Sequence, residues 1–315
     1  MFRWLRCYWR VRKLKHANCY KRQDAAYGLA ALGDSRSMKA IAATIDSEDE
    51  PYTLYHKALA LAKFGRAAVP LLTQLLERGG MATEGAALAL ARIKDKSPVP
   101  VLVQLLQQYS HEPGAAIAYA LGELGDEQAR EPLYRVVSSD LGRPFPRSVP
   151  AAEALANLGD PRGVDLLIRL MQMGHWTIRG NAASALGRTG DARSKEALIR
   201  ALGDHVGRDV PRQAAEALEL LGEGRWKSLL SPPEFSQRLG ESSDCRAVDP
   251  LVVLLATHPD NRAREIAKKT LGKRLGGPGG TQALKRLHQI ADNDCEESVR
   301  QAASKMLEQI RDQGE

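Results

Sequence analysis

The chain has 315 residues, of which 43% are hydrophobic but only 5% aromatic. Ala and Leu, both good helix formers, dominate the hydrophobic fraction, and Ala also lets helices approach one another closely. The β-branched and aromatic residues that a large sheet needs are sparse. No stretch approaches the roughly 18 consecutive apolar residues that span a bilayer, and no apolar segment of a secretory signal follows the basic N-terminus. We therefore expect a cytoplasmic, all-helical protein.

The formal charge of +7 is concentrated at one end. Residues 1–22 carry eight Lys and Arg and no acid, whereas the remainder has 37 basic and 38 acidic residues. The isoelectric point near 9.2 therefore reports a basic N-terminal arm on a neutral body. This pattern argues against a nucleic-acid-binding surface spread along the chain.

The four cysteines are far apart and form no CxxC motif: Cys7, Cys19, Cys245 and Cys295. At this chain length and cysteine density, neither a disulfide framework nor a thiolate zinc site is expected. The sequence predicts reduced thiols, no metal and no cofactor.

A short phrase with Gly-Asp at its end recurs along the chain. It occurs at Gly33, Gly125, Gly159 and Gly190, with degenerate copies at Gly65, Lys94 and Gly222, and the steps between copies are 29 to 34 residues. Such a period is the sequence signature of a repeat architecture.

Each repeat reads as two short helices. An Ala-rich run such as residues 181–186 has one apolar face and precedes the Gly-Asp pair. Gly permits a left-handed C-cap and Asp suits the N-cap of the next helix. A second apolar helix follows, as at residues 164–171, with Pro70, Pro100 and Pro132 near the start of its copies.

One hairpin of this kind cannot bury both of its helices, so neighbouring hairpins must stack. The predicted fold is an all-α α-solenoid of about eight to nine HEAT-like hairpins. We divide it into a basic arm or capping helix at 1–16, regular repeats at 17–222, an irregular insertion at 223–245, and C-terminal repeats at 246–315. Pro232-Pro233 marks the insertion, because this pair cannot continue a helix.

Residues 178–202 resemble the HEAT-like repeats of the phycobilisome-lyase type, and the resemblance extends over about residues 17–310. The resemblance implies the solenoid fold, in a class that includes bilin lyases, a di-iron hydroxylase and many scaffolds. The hydroxylase holds iron with repeated His-Glu pairs, whereas this chain has one such pair, His111-Glu112. Hydrolase, P-loop, zinc-protease and dinucleotide motifs are absent, so no catalytic residue is predicted.

The second helices share one informative position. The equivalent residues are Gln74, Gln104, Arg135, Arg169, Arg200 and Arg286, and Tyr134 lies beside Arg135. In HEAT solenoids the second helices line the concave face, so Arg135, Arg169 and Arg200 are predicted to form a row that grips carboxylates or phosphates. The alternative is that these arginines only keep their helices soluble.

The basic arm and the insertion are two further candidate surfaces. In a helical arm, Arg3, Arg6, Arg10 and Lys13 share one face, and Trp4 lies on the opposite face. The arm is either a cap on the first hairpin, a contact with an anionic membrane, or a contact with nucleic acid. In the insertion, Trp226 and Phe235 either anchor a partner or cover the core.

Asp and Arg also recur at fixed repeat positions, at Asp126, Asp160 and Asp191 and at Arg179, Arg212, Arg264 and Arg300. They predict a ladder of caps and salt bridges between repeats, with a charged site as the alternative.

The sequence thus favours a non-catalytic scaffold that binds a protein partner with an acidic segment on its concave face. Two alternatives stay open: a lyase-like or chaperone-like activity on a tetrapyrrole-bearing protein, and binding of nucleic acid or a membrane surface through the arm. No small-molecule substrate is predicted.

Overall fold

The computed structural model describes residues 9–16, 18–45, 51–110, 112–173, 175–204, 209–223, 245–258, 261–277, 280–294 and 296–312. These residues contain seventeen α-helices and no strand, which confirms the predicted all-α solenoid class. Within each unit, neighbouring helices pack in succession. Their bounds are α1 Cys19–Ala30, α2 Ser35–Ala42, α3 Pro51–Leu61, α4 Val69–Leu76, α5 Gly80–Ile93, α6 Val99–Gln108, α7 Glu112–Leu124, α8 Arg130–Asp140, α9 Ser148–Asn157, α10 Arg162–Met173, α11 Trp176–Thr189, α12 Lys195–Ala201, α13 Val210–Leu220, α14 Val248–Thr257, α15 Asn261–Leu275, α16 Gly280–Asn293 and α17 Glu297–Asp312.

The chain divides into two compact units, Met1–Gly163 and Val164–Glu315. In the first unit the odd-numbered helices α1 to α9 pack one on the next in succession. The even-numbered helices α4, α6 and α8 each pack against the odd-numbered helix that follows. We call the odd-numbered helices first helices and the even-numbered ones second helices.

Small side chains bring the first helices close together. Ala58, Ala86, Ala118 and Ala152 are fully buried on successive first helices. A Cβ atom added at Gly122 of α7 would lie 2.8 Å from Cβ of Ala154 on α9, too close for any side chain. The Ala-rich faces therefore form the core, as the periodicity predicted.

The turn within each hairpin follows the predicted caps. The glycine after the first helix has positive φ in six copies, for example 70° at Gly33 and at Gly190. Asp34, Asp126 and Asp191 then accept a hydrogen bond from a backbone N–H at the start of the next helical segment. Lys94 takes the glycine's place after α5 and is the one non-glycine residue with positive φ among those described, at 59°.

The run Tyr52–Leu76 is apolar and long enough to cross a membrane by length and composition alone. Gly65, with φ 59° and ψ −142°, breaks this run between α3 and α4. Ala58, Leu61, Leu72 and Leu76 in the run are fully buried. Part of this apolar run therefore belongs to the core of the first unit.

The second unit departs from the regular pattern after α13. Helices α11 and α13 pack together as first helices do in the first unit. Beyond them α14 contacts α12, α15, α16 and α17, so it lies at the centre of the C-terminal hairpins. The predicted insertion at 223–245 lies outside the described residues except for Glu223 and Cys245, and its proposed boundaries stay predictions.

The part of the arm that the structure describes lies against the first hairpin. Residues 9–13 are helical, and Leu14 is 1% exposed. The Arg10 guanidinium donates a hydrogen bond of 2.7 Å to the carbonyl oxygen of Gly28 in α1. These contacts favour the capping interpretation of residues 9–16.

A buried ion pair fixes the extra loop between α8 and α9. Arg147 donates two hydrogen bonds, of 3.0 and 3.1 Å, to the carboxylate of Asp140 and another to the carbonyl oxygen of Leu106. The Ser148 hydroxyl donates to the same carboxylate, and Asp140, Arg147 and Ser148 are all buried. Because breaking a buried pair leaves an uncompensated charge, this network holds both ends of the loop firmly.

The left-handed conformation at Lys94 gives a direct test of the repeat alignment. An L-amino acid in this region costs about 1–2 kcal/mol, and Gly escapes this cost. We expect Lys94→Gly to be more stable than Lys94→Ala by about 1 kcal/mol in urea unfolding. Both variants lose the exposed Lys94–Glu123 contact of 2.6 Å, so it cancels in the comparison. Equal stability of the two variants would contradict the assignment of Lys94 to the cap position.

Candidate functional site

A ladder of charged side chains links neighbouring hairpins at the turns. Arg162 donates to Asp160 of its own turn and to Glu131 of the preceding hairpin. Arg193 repeats the arrangement with Asp191 and with Asp165. The predicted caps are thereby confirmed at Asp160 and Asp191. The salt bridges between hairpins, however, are formed by Arg162 and Arg193 and not by the arginines that the sequence singled out.

The ladder shifts the titration of its aspartates. Hydrogen bonds from the Arg162 guanidinium hold the pKa of Asp160 below its ordinary value, and Arg193 does the same for the pKa of Asp191. Asp95, which accepts two hydrogen bonds from Ser97, also has a lowered pKa. The charged form of each carboxylate is therefore the one that the folded repeat stabilises.

A second set of arginines lies in the first turn of first helices. Arg264 and Arg300 each reach back six residues to a backbone carbonyl oxygen, of His258 and Asp294. Arg179 pairs with Asp204 at 2.8 Å, and Arg212 pairs with Asp209 and Glu216. All four arginines that recur at this repeat position thus have structural partners.

The second helices of the second unit line an open groove of about 580 Å³. We call it the B-face groove, where B stands for the second helix of each hairpin. Its lining residues come from α10, the α12 hairpin, α14 and α16 with the turn that follows: Ile168, Gln172, Arg193, Glu196, Ala197, Arg200, Asp249, Arg286, Gln289, Ile290, Asn293 and Asp294. A smaller pocket of about 90 Å³ shares Gln172, Ala197 and Arg200 with the groove.

Ion pairs between distant parts of the sequence hold the walls of the groove. Arg200 of α12 lies 2.6 Å from a carboxylate oxygen of Asp294, which is 94 residues further along the chain. Arg286 of α16 contacts Asp249 of α14 at 2.7 Å and Glu196 of α12 at 3.2 Å. The groove therefore has a largely balanced charge, because arginines and carboxylates of the chain face each other across it.

Asp249 is the most enclosed of these carboxylates. Burial raises the pKa of Asp249, while two hydrogen bonds from Arg286 oppose the shift. The same contacts raise the pKa of Arg286. The ion pair of Asp249 and Arg286 thus holds the wall of the groove in place, and neither side chain is free to bind a ligand.

The residues predicted to line the concave face fall into two classes. Gln74, Gln104, Arg135 and Arg169 are exposed on their second helices, whereas Arg200 and Arg286 are half-buried and paired. Among the described residues, Arg135 forms an ion pair only with Glu131 of its own helix, at 3.5 Å, and Arg169 forms none. Arg169 is not among the residues that line the groove, but it lies three residues before Gln172, which is. Their role in binding a partner stays a prediction.

The remaining predicted site residues give little support for a binding surface. The Arg162 guanidinium lies 4.2 Å from the ring centroid of Tyr134, so one face of that ring is covered. Lys13 is exposed and Arg10 bonds to α1. Arg3, Trp4, Arg6, Trp226 and Phe235 lie outside the described residues, as does His111.

Sequence reasoning missed the carboxylates of the groove. Glu196, Asp249 and Asp294 carry no local signal, because their arginine partners are 37 to 94 residues away. Sequence reasoning also missed the aromatic cluster on α1 and α3, where the Tyr27 hydroxyl lies 3.1 Å from Nδ1 of His56. Partial burial lowers the pKa of His56 and raises that of Tyr27.

No group of three or more His, Cys, Asp or Glu side chains able to hold a metal ion occurs within the described part of the chain.

The lowered pKa of Asp160 predicts the direction of its acid sensitivity. A carboxylate whose folded pKa lies below its unfolded value stabilises the fold above the unfolded pKa, and this contribution is lost as the pH falls through the folded pKa. Asp160→Asn keeps a capping side chain but loses the ion pair with Arg162. We expect it to be less stable than the parent by about 1 kcal/mol at pH 7, with the gap closing below pH ~4. Urea unfolding at both pH values measures this, and a gap that persists in acid would exclude the ion pair as its source.

Paired and exposed arginines of the second helices should differ in their effect on stability. Arg200→Met leaves the carboxylate of Asp294, which is 7% exposed, without its ion-pair partner. It should lower the free energy of unfolding by about 3 kcal/mol. Arg169→Met, its matched control, should change it by less than ~0.5 kcal/mol. Thermal and urea unfolding of both variants check this difference. Similar losses in the two variants would show that the Arg200 pair has no special structural role.

Comparison with known proteins agrees with this architecture. The family described as HEAT repeats matches residues 82–143 and 150–219. A curated relative, the uncharacterized phycocyanin operon protein Z of Pseudanabaena tenuis, is 29% identical over 193 residues, which cover 56% of this chain and 91% of the relative.

Two solved structures align with much of the chain. A chain of the complex of CpcE and CpcF of phycocyanin lyase from Nostoc sp. PCC7120 aligns with 78% of this chain and 92% of its own length, at 23% identity and a TM-score of 0.46. Human deoxyhypusine hydroxylase in complex with glycerol aligns with 86% of this chain and 96% of its own length, at 20% identity and a TM-score of 0.34. Residues 82–143 and 150–219 thus match HEAT repeats, and the curated relative links the chain by similarity to a phycocyanin operon protein.

Proposed function

We propose that the chain is a non-catalytic scaffold that binds a segment of a partner protein in the B-face groove of its second unit. The observation that carries this proposal is an open groove of about 580 Å³ whose walls are held by ion pairs of the chain itself. A groove that keeps its form without a ligand loses little conformational entropy on binding.

The lining of the groove suggests the chemistry of the bound segment. Ile168 and Ile290 offer apolar contacts, and Gln172, Gln289 and Asn293 offer amides that can both donate and accept hydrogen bonds. This mixture suits a polypeptide, whose backbone needs both kinds of partner and whose side chains include apolar ones.

An acidic residue of the partner fits one edge of the groove best. Arg200 and Arg286 are neutralised by Asp294, Asp249 and Glu196. Arg169 lies outside the groove lining but three residues before Gln172, so it is the member of the predicted row that we place at the edge of the groove. A carboxylate of the partner would pair with Arg169 through charge-assisted hydrogen bonds. We therefore assign recognition of acidity to Arg169 and a positioning role to Arg200.

A second candidate function is suggested by the curated relative. That protein is named for a phycocyanin operon and matches over 91% of its own length. A phycobiliprotein is accordingly a partner worth testing first, with or without a lyase-like activity. Incubating the chain with bilin and an apo-phycobiliprotein would reveal attachment as visible absorbance that survives denaturation; absence of such absorbance removes the lyase alternative.

Ala197→Trp provides the sharpest test of the B-face groove. Ala197 lines both the groove and the smaller adjoining pocket, so an indole there fills the space without entering the core. We expect this variant to lose at least ~10-fold in affinity for a partner captured from a native lysate, measured by titration with the purified partner. Arg169→Glu should lower the affinity for the partner. High salt should lower the affinity of the parent in the same direction, since salt screens exposed charge pairs.

Ala192→Trp is the matched control. Ala192 is exposed in the turn before α12 and is outside the groove lining. The control should bind the partner as the parent does. A folded Ala197→Trp variant that retains full affinity would refute the proposed site.

A further inference from the structure

A second open groove lies on the opposite class of helices, between α15 and α17. Two connected hollows of about 330 and 580 Å³ share the lining residues Glu265, Lys268, Met306 and Gln309. The lining extends along α15 from Arg264 to Leu275 and includes Gly276 directly after it. At 1.5 Å per residue this length is about 18 Å, which matches a helix of about 12 residues.

The groove occupies a place where first helices otherwise pack directly. A Cβ atom at Gly187 of α11 would lie 2.7 Å from Cα of Ala217 on α13. Gly272 of α15 follows a fully buried Leu271, just as Gly187 follows the fully buried Leu186. A Cβ atom at Gly272, however, would meet only the flexible end of Met306, at 3.6 Å. Gly272 would thus allow another helix to pack closely on α15, but none of the described helices occupies that position.

The floor of the groove is apolar. Leu275, Leu284, Met306 and Ile310 line it together with Gly272. Met306 is 6% exposed, so the floor is formed by the core itself. An occupant with an apolar face would continue that core.

The rim of the groove is strongly basic. Helix α15 contains six basic residues and one acid, Glu265. Lys268, Lys269 and Lys305 line the groove, and none of them forms an ion pair or hydrogen bond with a described residue. Unpaired ammonium groups around an apolar floor are complementary to a helix with an apolar face and acidic flanks.

We infer that the groove between α15 and α17 binds an acidic amphipathic helix of a partner protein. The apolar face of that helix lies on Met306 and Leu275, its backbone approaches α15 at Gly272, and its carboxylates pair with Lys268, Lys269 and Lys305. Nucleic acid matches the lysines but leaves the apolar floor uncovered. This site is separate from the B-face groove, so a scaffold of this kind can hold two segments.

A designed peptide tests the inference on the full chain. The probe is a fluorescein-labelled 18-residue helix with Leu on one face and Glu on the others, titrated by fluorescence anisotropy at physiological salt. We expect specific binding by the parent. We expect the double variant Lys268→Glu with Lys269→Glu to weaken it at least ~10-fold, because two attractions become repulsions. Lys285→Glu, on the exposed surface of α16 outside the groove, is the matched charge control and should leave affinity unchanged.

Gly272→Ala separates close helix packing from charge. Ala is a better helix former than Gly, and its methyl group has room in the free protein, so the melting temperature should hold or rise. The methyl group nonetheless prevents close approach of a docked helix, and we expect a loss of at least ~5-fold in affinity for the probe.

Three results would overturn the inference. They are failure of the parent to bind the acidic probe, equal binding of a peptide in which Lys replaces each Glu, and an unchanged affinity in both groove variants. Tighter binding of single-stranded oligonucleotide or of anionic vesicles than of the peptide would also reject it in favour of those ligands. Ala197→Trp should not affect probe binding, so failure at this groove and failure at the B-face groove can be told apart.

Discussion

The close approach of successive first helices is the constraint on which the rest of the structure depends. At Gly122 and Gly187 the neighbouring helix lies so near that even a methyl group would meet atoms at 2.7 to 2.8 Å. Interiors packed this closely tolerate little change in volume. Within each unit, the second helices and the turn ladders pack around first helices that are held together in this way.

The sequence predicted the spine because its signal is local and repeated. Ala at helical spacing, Gly after each first helix and Asp before each second helix all occur within about 31 residues of the next copy. The caps at Asp126 and Asp191 and the positive φ of Gly190 follow from these rules. The conformation of Lys94 shows that the repeat imposes the turn even where the residue type opposes it.

The candidate site was less predictable, for a physical reason. Whether an arginine is available to bind a ligand or is held in an internal ion pair depends on carboxylates that belong to other hairpins. Arg200, Arg286 and Arg169 occupy equivalent sequence positions, yet only the first two meet such partners, Asp294 and Asp249. These contacts form where α14 and α16 pack beyond the insertion, and no repeat pattern specifies that packing. The open contact between α15 and α17 was likewise not predictable, since Gly272, like Gly187, follows a Leu and precedes a basic residue.

The buried pair of Arg147 and Asp140 has a consequence for how this chain can be altered. It fixes the two ends of the loop at residues 141–147 independently of the residues between them. Gly142 has open space around it, with nothing within 4 Å of an added Cβ atom. Since lengthening a loop whose ends are already anchored costs little entropy, foreign sequence such as an epitope or a fluorescent label can be introduced at this corner. An insertion in this loop should therefore leave the repeats on both sides of it in their positions.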